Sequence, residues 1–270
     1  MSLTLDEYIV WHLDYLGENL HSEEVNKRYL ANITLAQAGV ADHRFIKECA
    51  DLLRTLAGRK VFAMHSGDRA PDFSFVTKPY PSVIDKTYRV NCNWNRAFPR
   101  QPPDDWTTSS NWFAKFDDLV RTTLVCRYID GPEIVCKALA AAATQHGLLA
   151  RFEPRATNDG YYAYHFYARI PVSLMTGGGA IRDTSVEVEV QVTTQLQEIL
   201  RDLTHSFYRA QRLGTRRPLS IERWEFDTSR FRASYLAHTL HLIEGMIVQL
   251  RNEVPDATRF ELDRDATREP

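Results

Sequence analysis

The chain has 270 residues, 44% of them hydrophobic and 25% charged, enough for a substantial buried core in one large domain or two small ones. A formal net charge of −2 excludes a global basic signal, so contact with nucleic acid would need a local patch. No apolar run reaches membrane-spanning length, and the acidic, amphipathic start MSLTLDEYIVWHLDYL is unlike a signal peptide. Cys49, Cys92, Cys126 and Cys136 lack metal-ligand spacing and read as reduced thiols of a cytoplasmic protein.

Helices come first. Leu5, Tyr8, Ile9, Leu13 and Leu16 recur at helical spacing, and a second periodic region runs from Glu23 to Leu56. Gly58 and Gly67 bracket a connection through Val61–Met64. Pro79 and Pro81 introduce a helix over Ser82–Tyr88, proline being favoured in a first turn. The proline-rich stretch Val90–Asn111 reads as a long loop, a class that is often functional or mobile; its Trp94 and Trp106 are either exposed or, as the leading reading, packed onto the core. Leu119–Ile129 has the near-continuous apolar character of a central strand, and Glu133–Gly147 that of an alanine-rich helix ending in glycine. Tyr161–Pro171 reads as a strand, and Met175–Asp183 as a hairpin connection. Helices follow over Gln195–Arg212 and Ser234–Asn252, the latter with Leu236, Leu240, Ile243, Ile247 and Leu250 on one side, before a charged tail from Pro255.

This order predicts an α+β protein, a mixed sheet surrounded by helices. Residues 1–60 form an N-terminal helical region and 61–212 a core. Residues 213–254 form a helical extension, packed on the core or used in oligomerisation, and 255–270 the tail.

The stretch Ser185–Thr194, SVEVEVQVTT, is the most informative. Val186, Val188, Val190 and Val192 alternate with Glu187, Glu189, Gln191 and Thr193, a period-2 strand with one β-branched apolar face. Its other face lines up two carboxylates and an amide, groups that hold a metal ion or orient a hydroxyl nucleophile; a polar strand face turned to water would show the same pattern.

Three neighbouring motifs sharpen that reading. On a helix, Ser82, Lys86 and Arg89 fall in one narrow sector beyond Lys78, and cations on one face suit a polyphosphate. Asp118, at the mouth of a buried strand and followed by Arg121, is placed to hold Mg²⁺, which uses one or two carboxylates plus substrate phosphates. After the turn at Asn158-Asp-Gly160, period 2 puts Tyr161, Ala163 and His165 on one face, where a tyrosine can stack on a nucleobase. Leu203-Thr204-His205 follows the Glu189-Val-Gln191 strand.

In this order the motifs resemble the synthetase domain of the RelA/SpoT family, the alarmone synthetases, over roughly Val61–Tyr208 and arguably the last helix. Lys78, Ser82 and Lys86 match its K-S-P-x-S-x-x-x-K, and Asp118 its D-I-x-G-x-R. Gly160, Tyr161 and His165 match G-Y-R-S-x-H, Glu189 and Gln191 match E-I-Q-I-R, and His205 half of the following E-H. The pattern is closer to small stand-alone and toxin-type members than to long housekeeping enzymes. The family's hydrolase domain has no counterpart ahead of Val61.

The resemblance implies a nucleotidyltransferase-like fold and transfer of the β,γ-pyrophosphate of ATP to a ribose 3′-hydroxyl with Mg²⁺. Asp118 and Glu189 would hold the metal, and Glu189 would also accept the hydroxyl proton. Lys78, Ser82, Lys86, Arg89 and Arg121 would meet ATP and its phosphates. Tyr161 would stack on the acceptor base, with His165, Gln191 and His205 around it; Arg121 or Arg127 would meet the ATP adenine.

Arg121 stands where the family has glycine, Thr123 where it has arginine, and Tyr162-Ala163 where it has Arg-Ser. Thr193 and Thr204 replace an arginine and a glutamate, so reaction type is better marked than acceptor. A guanosine or adenosine nucleotide leads. The alternatives are the 3′ end of tRNA, served by Arg209, Arg212, Arg216 and Arg217 in a toxin with a neutralising antitoxin, and an inactive nucleotide-sensing module. His238, His241 and Glu244 are set aside as a zinc site, and Gly177–Ala180 as a phosphate loop, which lacks the GxxxxGK context.

Overall fold

Two fourteen-residue strands organise the molecule. The computed structural model describes residues 3–58, 72–176, 178–211 and 224–253, with all their side chains except those at 58 and 204–211. The connection at Val61–Met64, the charged tail, Gly177 and the basic residues Arg212, Arg216 and Arg217 lie outside the described residues, as do the side chains of His205 and Arg209.

Five strands form one sheet in the order β1-β2-β5-β4-β3. They are β1 Val76–Thr77, β2 Val120–Cys126, β3 Ala150–Ala156, β4 Tyr162–Met175 and β5 Ile181–Thr194. β2 runs parallel to β5 and every other pairing is antiparallel, so the sheet is mixed. The apolar side of β5 pairs Val188 with Val120 and Val190 with Phe166, and Val186, Val188, Val190 and Val192 are all buried. Helices α2 (Glu23–Asp42) and α6 (Gly131–Gln145) cover this side. The aligned register and the helix-covered face place the core on one side of the sheet and leave the polar side for chemistry.

Local chemistry sets the remaining boundaries. Helix α1 (Leu5–Leu16) begins in a capping box between Thr4 and Glu7 and ends at Gly17, whose φ of 73° closes it in the left-handed region. The region from Glu23 to Leu56, periodic throughout, is two helices. His43 turns extended and its Nδ1 accepts from the Phe45 amide, capping α3 (Arg44–Gly58). Helix α4 (Tyr80–Tyr88) starts behind Pro79, as expected, and widens into a π-turn over Arg89–Asn93. A short α5 (Trp112–Lys115) leads to β2, and α7 (Gln195–Gln211) follows β5 directly.

The structure departs from the sequence reading in four places. Strand β3 was not expected; its Pro154 and charged residues disguise an edge strand in which Arg151, Glu153 and Arg155 alternate with Phe152 and Pro154. β4 and β5 run further into the hairpin than predicted, leaving only 176–180 as the connection. Trp106 is buried as expected, whereas Trp94 is 59% exposed. The last helix, α8 (Ser229–Glu253), buries Ala237 and Glu244, while Leu236, Ile243, Ile247 and Leu250 remain exposed. It docks through its small side. A Cβ on Gly160, which has φ +87°, would stand 2.4 Å from the Ala237 Cβ, so only glycine permits this approach.

Candidate active site

The polar side of the sheet carries its groups in rows. Arg121, Glu189, Tyr167 and Arg151 lie side by side across β2, β5, β4 and β3. The next row is Thr123, Gln191, His165 and Glu153. Period 2 brings Tyr161 and Ala163 to this face as predicted, and it turns Tyr162 to the other.

Glu189 is 5% exposed, deeply buried for a carboxylate. Donors surround it. His165 Nδ1 lies 2.8 Å from Oε1, and the Tyr167 hydroxyl donates to the same oxygen at 3.3 Å. Gln191 Nε2 donates to Oε2 at 3.0 Å. The far nitrogen of His165, Nε2, is 2.8 Å from the Tyr161 hydroxyl. With Nδ1 protonated, the five groups form one continuous network in which Tyr161 donates to His165 and His165 to Glu189. Burial, then the negative charge of Glu189, push the Tyr161 phenol up to about 12, so it stays a donor at neutral pH. The same two causes raise Tyr167.

A second cluster stands at the start of β2. Lys78 continues β1, its amide donating to the Leu119 carbonyl, and its ammonium reaches Asp118 Oδ2 at 2.6 Å. Lys86, one side of α4, donates to Asp118 Oδ1 at 2.7 Å and to Asp117 Oδ1 at 2.6 Å. Burial alone would raise the Asp118 carboxyl, but Lys86 and Lys78 outweigh it and hold the pKa below the ordinary value. Burial dominates at Lys78 and draws its ammonium down against the pull of Asp118.

The second cluster lies ahead of β2, the strand beside β5, and no hydrogen bond joins the two clusters among the described residues. Arg121 links them electrostatically. It is in register with Glu189 and its charge also acts on Lys78. The Tyr167 hydroxyl feels both Glu189 and Asp117.

Of the predicted site residues, Lys78, Lys86 and Asp118 come together, as do Tyr161, His165, Glu189 and Gln191. Ser82 is exposed and Arg89 turns to Asp85 at 3.0 Å, so neither joins the lysine cluster. Arg89 keeps helical backbone at the end of α4, one turn beyond Lys86, and its guanidinium is held by Asp85. Sequence reasoning missed Asp117 and Tyr167, each just outside a marked motif, and Arg151 and Arg155 on β3. Glu187 is 9% exposed and paired with Arg151, whose guanidinium sits 4.1 Å from the centre of the Tyr167 ring.

The residues set aside as a zinc site are structural. The Tyr162 hydroxyl and His238 Nδ1 are 2.6 Å apart, and His241 stacks on the Tyr162 ring at 3.6 Å. Glu244 accepts from Gln197, and burial raises its carboxyl. Among the described residues no group of three or more His, Cys, Asp or Glu forms a metal cage. Mg²⁺ needs none, since one or two hard carboxylates suffice when a substrate supplies phosphate oxygens. Asp118 and Glu189 are of that type, and each already has its charge met by donors that phosphates could take over.

The architecture is similar to crystal structures of small alarmone synthetase 1 and small alarmone synthetase 2 from Bacillus subtilis. The first is 20% identical with a TM-score of 0.50, and the second 14% identical with a TM-score of 0.50. Both alignments cover 84% of this chain and 98% of the other. The chain therefore has the α+β fold of the small alarmone synthetases, the architecture that the RelA/SpoT motifs implied. No protein-family model matches the chain, and no curated protein matches it. No helix among the described residues is long and apolar enough to cross a membrane.

Proposed function

We propose that this protein is an ATP-dependent pyrophosphotransferase that moves the β,γ-pyrophosphate of ATP to the ribose 3′-hydroxyl of a guanosine or adenosine nucleotide. The observation that carries the reading is Glu189, a buried carboxylate in a cage of hydrogen-bond donors, on the strand beside the one that a lysine-flanked aspartate precedes. In this scheme Glu189 accepts the 3′-hydroxyl proton as the oxygen attacks the β-phosphorus. The bond from that phosphorus to the α-phosphate oxygen breaks, and AMP leaves.

Lys78 and Lys86 turn from Asp118 and Asp117 to the phosphates, and Arg121 meets charge developing between the clusters. Catalysis is then mainly positioning and electrostatics. Tyr161, fixed through its hydroxyl by His165, orients the acceptor. Asp118 and Glu189 would hold Mg²⁺, which when bound would neutralise phosphate charge.

Purified protein incubated with γ-labelled ATP and Mg²⁺, and in turn with GDP, GTP, ATP or tRNA, tests the reading. Label should appear on a nucleotide with release of AMP. Label on tRNA alone would move the acceptor to its 3′ end, and label on no acceptor would overturn the reading.

A further inference from the structure

An exposed tryptophan stands just beyond the phosphate-binding lysines. Trp94 is 59% exposed, although tryptophan ordinarily gives most of its surface to a core. Trp106, in the same proline-rich segment, does so: it is 6% exposed and packs against Trp11 and Phe98.

The backbone holds Trp94 outside. Helix α4 widens into the π-turn over Arg89–Asn93, and the Trp94 amide donates across it to the Arg89 carbonyl at 2.7 Å. Turns of this kind are rare and concentrate at functional sites. The same turn sets the Arg89 guanidinium 5.3 Å from the centre of the indole, while Asp85 fixes Arg89 Nε at 3.0 Å. The ring is thus already oriented against a cation, and much of it remains open to solvent.

Its distance from the lysines is also telling. Lys86 precedes Trp94 by about two turns of one continuous helical segment, α4 and its π-turn. An extended nucleoside triphosphate covers such an interval, with phosphates at the lysines and its base at the indole. The arginines considered from sequence lie on and just after β2. Arg121 sits beside Glu189 in the middle of the sheet, and Arg127 lies 5.3 Å from the centre of the Tyr128 ring.

We propose that Trp94, backed by Arg89, is the base subsite for the nucleotide whose phosphates Lys78 and Lys86 hold: the adenine of ATP stacks on the exposed indole. This rests on the transferase reading above. Stacking on an aromatic ring and attraction to a neighbouring cation both require a π-face, which adenine has and a bare polyphosphate lacks.

The test is calorimetric titration of the full chain, in Mg²⁺, with ATP and separately with inorganic tripolyphosphate. Trp94→Ala should weaken ATP binding by about 5- to 150-fold, the range expected for one base–aromatic stack. Tripolyphosphate affinity should stay unchanged, and Trp94→Phe should restore most ATP binding. Lys86→Ala should weaken both ligands. Trp94→Ala binding ATP as tightly as the wild type, or losing both ligands equally, would overturn the subsite and leave the transferase reading standing. A wild-type chain that binds neither ligand would overturn both. Trp94 is exposed, so Trp94→Ala should fold, which circular dichroism checks.

Discussion

Asp118, just ahead of β2, and Glu189, on the neighbouring β5, are two carboxylates in opposite surroundings. Asp118 is gripped by two ammonium groups, and its charge is fixed by Coulomb attraction. Glu189 is more deeply buried and is met by a tyrosine hydroxyl, an amide and an imidazole. A carboxylate locked between cations is a poor proton acceptor and a good anchor for charge. Glu189 has no lysine or arginine within hydrogen-bond distance among the described residues. Paired acids whose settings diverge in this way commonly divide the work of a reaction between them. On the proposed transferase reading, the contrast gives Asp118 the electrostatic part and Glu189 the proton transfer.

The sharpest way to break this division is Glu189→Gln, which keeps shape and removes the acceptor of the proton. Transfer should fall by about 10²–10⁴-fold, the usual effect of losing a general base, with the fold largely kept. Near-normal turnover would place the site elsewhere.

Asp118→Asn should act first on stability. It leaves Lys78 buried without its counter-charge, at a cost of about 3 kcal/mol, the low end for a broken buried pair because Lys86 keeps Asp117. The pH dependence has a definite sign. The folded-state pKa of Asp118 lies below its ordinary value of 3.8, so its stabilisation is complete above that value and is lost as pH falls through the depressed one. Denaturant melts of wild type and variant should differ by a constant amount down to about pH 4 and converge below it. A gap that persists in strong acid would mean that Asp118 acts through shape.

Two smaller effects refine the picture. Tyr167→Phe removes one donor to Glu189 and should cost about 1 kcal/mol in denaturant stability, with turnover reduced but measurable. Glu187→Gln, on the same strand face, should change turnover least. Its partner Arg151 is more than half exposed, so the pair is worth at most about 1 kcal/mol. If Glu187→Gln slowed transfer as much as Glu189→Gln, position along the strand would not matter and the division would fail.

Much of this was legible in advance because alternation is a local signal. Val186 to Val192 declare both the strand and its buried face without reference to any partner. The burial of Glu189 was not legible, because it depends on Tyr167 and His165 from β4 closing over the carboxylate. Strand β3 was missed for a related reason, since Pro154 and three charged residues look like a loop until β4 is beside them. In α8 the period of Leu236, Ile243, Ile247 and Leu250 marks a helix correctly. Period alone does not say which side docks, and here the fit of Ala237 against Gly160 decides it.

The lysine–aspartate cluster has an electrolyte consequence. Lys78, Lys86, Asp117 and Asp118 sum to no formal charge, and each cation already has its counter-ion within hydrogen-bond distance. An open basic groove draws polyanions from afar and loses that pull as salt shortens the Debye length. A self-compensated cluster projects little field. It exchanges partners only on contact, favouring a guest that arrives with its own cation to occupy the vacated aspartates. Capture by this cluster should therefore depend on the metal-loaded form of the guest far more than on ionic strength.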